Sequence, residues 1–197
     1  MENQAFPFLV AGLGNPGREY RDTRHNVGFQ VIEQLCKVMG ISLSRMQSKA
    51  LLGIGQLEGQ KIILAKPQTF MNLSGQPVGA LMRFYKTPLD QLIVAHDDLD
   101  LPLGTIRLRP GGGSAGQKGM GSIIQHLGTE NFARLRIGIG RPPGQMDPSV
   151  YVLKKFTASE QDILNMVLDR AVAAVRIFVC DGLEAAMNQY NSSVQER

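Results

Sequence analysis

The chain reads as a single-domain, three-layer α/β/α sandwich on a mixed, mostly parallel central sheet. Apolar strands alternate with amphipathic helices along the chain, and one pair of strands lies close enough to form a hairpin, which adds antiparallel pairing to a crossover-linked sheet. Size agrees, since 197 residues with 43% hydrophobic content suffice for one substantial core.

Phe6 to Val10 is an apolar run that predicts a buried strand, followed by a loop to about Arg24. Val27, Val31, Leu35 and Val38 recur at helical spacing, so a helix is expected to about Met39, stopped by Gly40. Ala50 to Leu57 and Lys61 to Ala65 predict two strands joined by a tight turn at Glu58 to Gln60. A second helix fits about Ser74 to Tyr85. Leu92 to Ala95 is a short strand running into the acidic stretch DDLD, and Thr105 to Arg109 is another strand. Glycine-rich GGGSAGQKG, Gly111 to Gly119, opens a short helix ending near Leu127, and Leu135 to Ile139 is a further strand. Ile163, Val167, Ala171, Ala174 and Phe178 mark a long amphipathic helix from Ser159 to Val179. Thr157 and Glu160 are spaced as its capping box, and Gly182 ends it. The tail from about Asn191 to Arg197 is polar and expected to fray.

Lys and Arg outnumber Asp and Glu by 21 to 17, which permits a polyanionic partner without requiring one. Cys36 and Cys180 lie in helical patterns on apolar stretches without metal-ligand spacing, and read as reduced core thiols in a reducing compartment. No basic region precedes a long apolar segment, and no run approaches the roughly 18 apolar residues of a membrane span. A soluble, cytoplasmic protein is expected.

GLGNPGREYRDTRHNVGF, Gly12 to Phe29, contains G-x-G-x-x-G after a strand, yet the dinucleotide-binding reading fails. That fingerprint needs a helix opening at its third glycine and an acid about 20 residues on, at the end of a second parallel strand. Here REYRDTR follows Gly17, Glu33 sits inside a helical pattern, and the next strands form a hairpin. GQKGM likewise lacks the G-K-[ST] of a P-loop. The glycines then make a tight bend, stiffened by Pro16, that presents Asn15 at a strand end. Its amide offers one acceptor and two donors without charge, for a ligand or only for its own turn.

Of the three histidines, His25, His96 and His126, His25 has the most suggestive setting. It shares strand-end loops with Asn15 and the HDDLD run, where open sheets bind ligands. A histidine held by a carboxylate is oriented as a general base. Asp97 and Asp98 point to opposite faces of a continuing strand, and the residues alone do not choose between them. No serine or cysteine sits in a nucleophile elbow, so water is the simplest nucleophile. Arg107 and Arg109 share one strand face and Arg134 and Arg136 another. With the glycine-rich loop between them and Lys118 at its edge, they suggest a phosphate-binding rim. Tyr20 and Phe70 flank the site and suit stacking on a base or ribose.

Together GLGNPGREYRDTRHNVGF, FMNLSG (Phe70 to Gly75), AHDDLDLPLGTIRLRPGGG (Ala95 to Gly113) and FARLRIGIGRP (Phe132 to Pro142) resemble bacterial-type peptidyl-tRNA hydrolase. The similarity covers nearly the whole chain, and four motifs in order are highly specific. The resemblance implies a single α/β domain, usually monomeric, that needs no cofactor and cleaves the ester between a peptide and the 3′-terminal ribose of tRNA. His25 would be the general base and Asp97 its orienting acid. Asn15 would read the peptide part, Asn72 would bind near the ester, and Tyr20 and Phe70 would line the site for the tRNA 3′ end. One departure stands out: the family commonly places His-Asn before a glycine where this chain has Gln117-Lys118 before Gly119. A lysine offers phosphate or ribose a point charge and cannot copy an amide's paired donor and acceptor. Two other classes remain as rivals: an RNA-binding relative that has lost hydrolysis, which that departure favours, and a nicotinamide-dependent oxidoreductase.

Overall fold

The structure is a computed structural model describing residues 6–191. Its strands are β1 (Phe8–Gly12), β2 (Arg45–Gln47), β3 (Ala50–Leu57), β4 (Gln60–Pro67), β5 (Leu92–Asp98), β6 (Ile106–Arg109) and β7 (Ala133–Gly138). Its helices are α1 (Val27–Met39), α2 (Gly75–Tyr85), α3 (Lys118–Leu127), α4 (Pro148–Tyr151), α5 (Gln161–Asp181) and α6 (Leu183–Tyr190). The strands form one seven-stranded sheet in the order β2-β3-β4-β1-β5-β7-β6. β4, β1, β5 and β7 are mutually parallel, while β3 and β6 run against their neighbours.

Alternation along the central strands splits the core in two. Val10, Ile62, Leu64, Ile93 and Ala95 face α1, α5 and α6. Leu9, Ala11, Ile63, Ala65, Leu92 and Val94 face α2 and α3. The sheet is therefore covered on both faces, as the strand–helix alternation predicts. The hairpin forms as expected: Glu58 and Gly59 both take positive φ, 49° and 81°, the geometry of a two-residue turn matched to strand twist. The α1 stop is also as read, with Gly40 at φ 64° and its N–H closing on Cys36 and Lys37 carbonyls.

Elsewhere the chain departs from expectation. β5 runs on to Asp98, because β7 continues beside it and pairs Asp97 with Ile137 and Asp98 with Gly138. The first two acids of that run, Asp97 and Asp98, are thus strand residues and buried. β2, α4 and α6 go unpredicted, being short or weakly patterned. Val38 faces solvent at the far end of α1. Cys36 is buried, but Cys180 is exposed, so only one of the two is a core thiol. Burial pushes the Cys36 thiol up to about 11. Asn191 closes the free edge of β6: its amide accepts from Leu108 N–H at 2.7 Å and donates to Leu108 C=O at 2.9 Å. The remaining tail, 192–197, lies outside the described residues. Among the described residues no helix is long and apolar enough to cross a membrane.

Candidate active site

The carboxyl ends of β1, β4 and β5 lie side by side, because these strands are parallel neighbours. The chain leaves β1 towards α1 on one face, and α2 crosses to β5 over the other, so a crevice opens where the connections diverge. Asn15 follows β1, Phe70 and Asn72 follow β4, and Asp97 sits at the end of β5. A cavity of about 860 Å³ opens there, and its lining includes Asn15, His25, Phe70, Asn72, Asp97 and Lys118. Tyr20, on the 3-10 turn Arg18–Tyr20, is not among the lining residues.

Close backbone packing brings His25 to this edge. A Cβ on Gly28 would stand 2.4 Å from the Ala95 carbonyl oxygen and 2.5 Å from the Leu13 nitrogen, and one on Gly12 would stand 2.1 Å from the Gly28 oxygen. Only glycines at both positions let the start of α1 rest directly on β1 and β5. His25, on the 3-10 turn just before α1, is held by its own N–H donating to Val152 C=O at 2.8 Å. Its Nδ1 stands 2.8 Å from Asp97 Oδ2, with 14% of the His25 side chain and 3% of the Asp97 side chain exposed. With Nδ1–H donating to the carboxylate, Nε2 is left as the ring's acceptor. Asp97, not Asp98, is the acid beside His25. Asp98 points the other way, accepting from Arg136 Nε at 2.6 Å and Asp100 N–H at 2.8 Å.

His96 also lines the cavity, but it is buried and its Nδ1 is 2.8 Å from the Asp97 carbonyl oxygen. Burial holds its pKa below the ordinary imidazole value, so it stays neutral where a free histidine would titrate.

Asn15 is braced, not free. Asn26, which sequence reasoning passed over, accepts from the Asn15 N–H and donates to the Asn15 C=O, each at 2.9 Å. Asn15 Oδ1 accepts from Met71 N–H at 2.8 Å, tying the loop after β1 to the loop after β4. Oδ1 is therefore engaged, and Nδ2, without a protein partner among the described residues, is the donor Asn15 has to offer.

The arginines divide by use. Arg107 pairs across the strands with Arg136 and Arg109 with Arg134, on the sheet face opposite Ile106, Leu108, Leu135 and Ile137. Arg134 is buried and donates to Gly113 C=O at 2.6 Å and Glu130 C=O at 3.1 Å, so it holds the glycine-rich loop. Arg136 is engaged by Asp98. Of the expected phosphate rim, Arg107, Arg109 and exposed Lys118 keep guanidinium or ammonium groups without an ion-pair partner among the described residues.

The lining segment Asp147–Leu153 also went unread in the sequence. Its signal is the Asp147 N-cap before Pro148, with Asp147 Oδ1 accepting from Ser149 N–H at 2.7 Å. Arg24 fastens this region to the His25 turn. It is paired twice with Glu160 at 2.8 and 2.9 Å, donates to Lys155 C=O at 2.7 Å, and lies over the Tyr151 and Phe156 rings.

Fold and site together define an α/β protein with a histidine–aspartate pair in an open cavity at the carboxyl edge of its sheet. The peptidyl-tRNA hydrolase family model matches residues 9–197. A peptidyl-tRNA hydrolase of Carboxydothermus hydrogenoformans is 50% identical over 93% of this chain and 98% of its own. The mitochondrial peptidyl-tRNA hydrolase of Oryza sativa is 50% identical over 95% of this chain and 75% of its own. The crystal structure of peptidyl-tRNA hydrolase from Acinetobacter baumannii superposes with a TM-score of 0.89 at 41% identity, covering 94% of this chain and 95% of that one. The chain belongs to the peptidyl-tRNA hydrolase family and is, by that membership, an esterase.

Proposed function

We propose that this protein hydrolyses the ester joining a peptide, or an N-blocked aminoacyl group, to the 3′-terminal ribose of tRNA, with His25 activating the water. The observation that carries the reading is the His25–Asp97 pair at 2.8 Å inside the cavity, in a chain of this family. Nε2 takes the proton as water attacks the ester carbonyl, and Asp97 holds the ring and stabilises its charged form. Asn15 Nδ2 donates to a carbonyl of the peptide, and Asn72, exposed on the loop after β4, binds beside the ester. A well-placed donor of this kind contributes a few kcal/mol, roughly, if it meets the developing oxyanion. Phe70, more than half exposed at the cavity, offers a stacking face to the 3′ end. Tyr20, outside the lining, is left for tRNA contacts beyond the reacting ester. Arg107, Arg109 and Lys118 hold phosphates. The products are free peptide and a reusable tRNA.

The test is release from an N-blocked aminoacyl-tRNA by the wild type and by His25→Ala, with the unblocked aminoacyl-tRNA as control. Expected is release from the blocked substrate alone, slowed at least about 100-fold in the variant. Near-wild-type turnover in His25→Ala would overturn the role of the base. Salt-sensitive tRNA binding without any release would replace the reading with that of an RNA-binding module.

A further inference from the structure

Asp97 needs more than one partner. A buried carboxylate has two oxygens to satisfy, and His25 takes only Oδ2. Oδ1 is taken by Gln117, whose Nε2 donates to it across 3.0 Å. The other end of the same amide is the N-cap of α3: Gln117 Oε1 accepts the Met120 N–H at 2.8 Å. Met120 and Ile123 anchor that helix in the core with no exposure. Gly119 permits the tight fit, since a Cβ there would stand 2.6 Å from Met71 Sδ and 3.0 Å from Gln117 Oε1. One side chain thus links the Asp97 rotamer to the end of a fixed helix.

We infer that Gln117 is a positioning residue for the His25–Asp97 pair, an inference that rests on the reading of His25 as base. Its donor occupies Oδ1, so Oδ2 stays aimed at His25 Nδ1. Because an amide does not titrate, the hold is the same at every working pH. Without it, Asp97 buries a bare oxygen or turns to another donor, and the imidazole loses its alignment with the water. Although Gln117 lines the cavity, its amide is engaged by Asp97, Met120 N–H and Met71 Sδ, the last at 3.3 Å, so its loss is expected in kcat more than in KM.

Gln117→Glu and Gln117→Met separate this role from simple capping. Glutamate keeps the acceptor for Met120 but sets a carboxylate against Asp97. Methionine, of similar length, removes both hydrogen bonds. For Gln117→Glu the expected result is kcat, measured on the folded fraction, reduced about 10- to 100-fold near neutral pH, the scale of a small misalignment, with KM little altered and Tm lower at neutral than at acid pH, where the introduced carboxyl is protonated. As pH falls, the introduced carboxyl takes up a proton, held more tightly because Asp97 is beside it, and becomes a donor again. The ratio of variant to wild-type kcat then climbs towards one. Besides His25 and Asp97, the titratable groups lining the cavity are His96, Asp98, Asp100, Lys118, Arg141 and Asp147, present in both proteins and cancelled by the ratio. Gln117→Met is expected to lose both Tm and kcat, with no recovery at low pH. Wild-type kcat in Gln117→Glu, a loss confined to KM, or a loss indifferent to pH would overturn the inference and leave Gln117 a helix cap. His25→Ala in the same assay tells the two failures apart. If it is inactive while Gln117→Glu is fully active, only the Gln117 inference falls; if it turns over normally, the reading of the base falls first.

Discussion

Asn15 illustrates how a side chain picked out by its place in a motif acquires a narrower role from its surroundings. The loop sequence allowed it an acceptor and two donors, but Met71 N–H takes the acceptor. Asn26 supplies what the backbone of the same loop lacks, pairing with both the N–H and the C=O of Asn15. Asn26→Ala strips both from buried groups, each worth roughly 1–3 kcal/mol when left bare. A fall in the urea midpoint, together with reduced kcat/KM, is expected; an unchanged midpoint would show that water replaces the amide without loss. His96 makes a second residue-scale prediction. Its pKa lies below the unfolded value, so the unfolded chain binds the extra proton first, and stability is full above the unfolded pKa of about 6.5 and lost as pH falls towards the folded one. Urea midpoints are expected to drop between about pH 7 and pH 5 and to drop less in His96→Gln. Equal slopes in the two proteins would remove His96 as a cause. His25 and Asp97 were legible as residue types in strand-end loops. Asn26, Arg24 and Gln117 were not, because their partners lie 11 to 136 positions away.

At the scale of elements, the contact of α1 with the sheet decides where the histidine stands. Gly28 has no room for a methyl, and the atoms it would strike are backbone, which cannot rotate aside. Gly28→Ala is expected to destabilise by about 1–3 kcal/mol or more, as over-packed cores do. Because α1 must lift from β5, turnover is expected to fall as well, measured on the folded fraction. Retained stability would mean that the helix can shift at little cost. This accounts for the opening G-x-G-x-x-G: Gly12 admits Gly28, Gly14 lies against the Phe29 ring, and Gly17 takes φ 119° in the turn, all serving packing and chain direction. Strands, hairpin and long helices were legible from periodicity and turn residues. α4 and α6 were missed for want of length, and the continuation of β5 into charged residues for want of apolar pattern, since pairing with β7 rather than side-chain preference extends it.

Across the whole molecule, charge is distributed more selectively than a count of 21 basic residues against 17 acidic suggests. Arg134 and Arg136 are spent inside the protein, which leaves half-buried Arg107 and exposed Arg109 on β6. The double variant Arg107→Gln, Arg109→Gln is expected to weaken tRNA binding and to reduce the slope of log affinity against log salt by about one per arginine. An unchanged slope would place the phosphates elsewhere. Much was already written in the order of residues: an α/β sandwich, a hairpin at one side, a histidine and acids in strand-end loops, and four motifs resembling one hydrolase family. Those features depend on local periodicity, turn chemistry and residue identity, which survive without knowledge of the partner. Three-dimensional packing put Asp97, the acid the resemblance implies, rather than Asp98 against His25, drew the Asn15 side-chain oxygen into a bond with Met71 N–H, turned two of four arginines inward and set Gln117 behind the His25–Asp97 pair. Each of those choices depends on which groups meet across long stretches of chain, and burial then makes every unpaired polar atom costly enough to fix the answer.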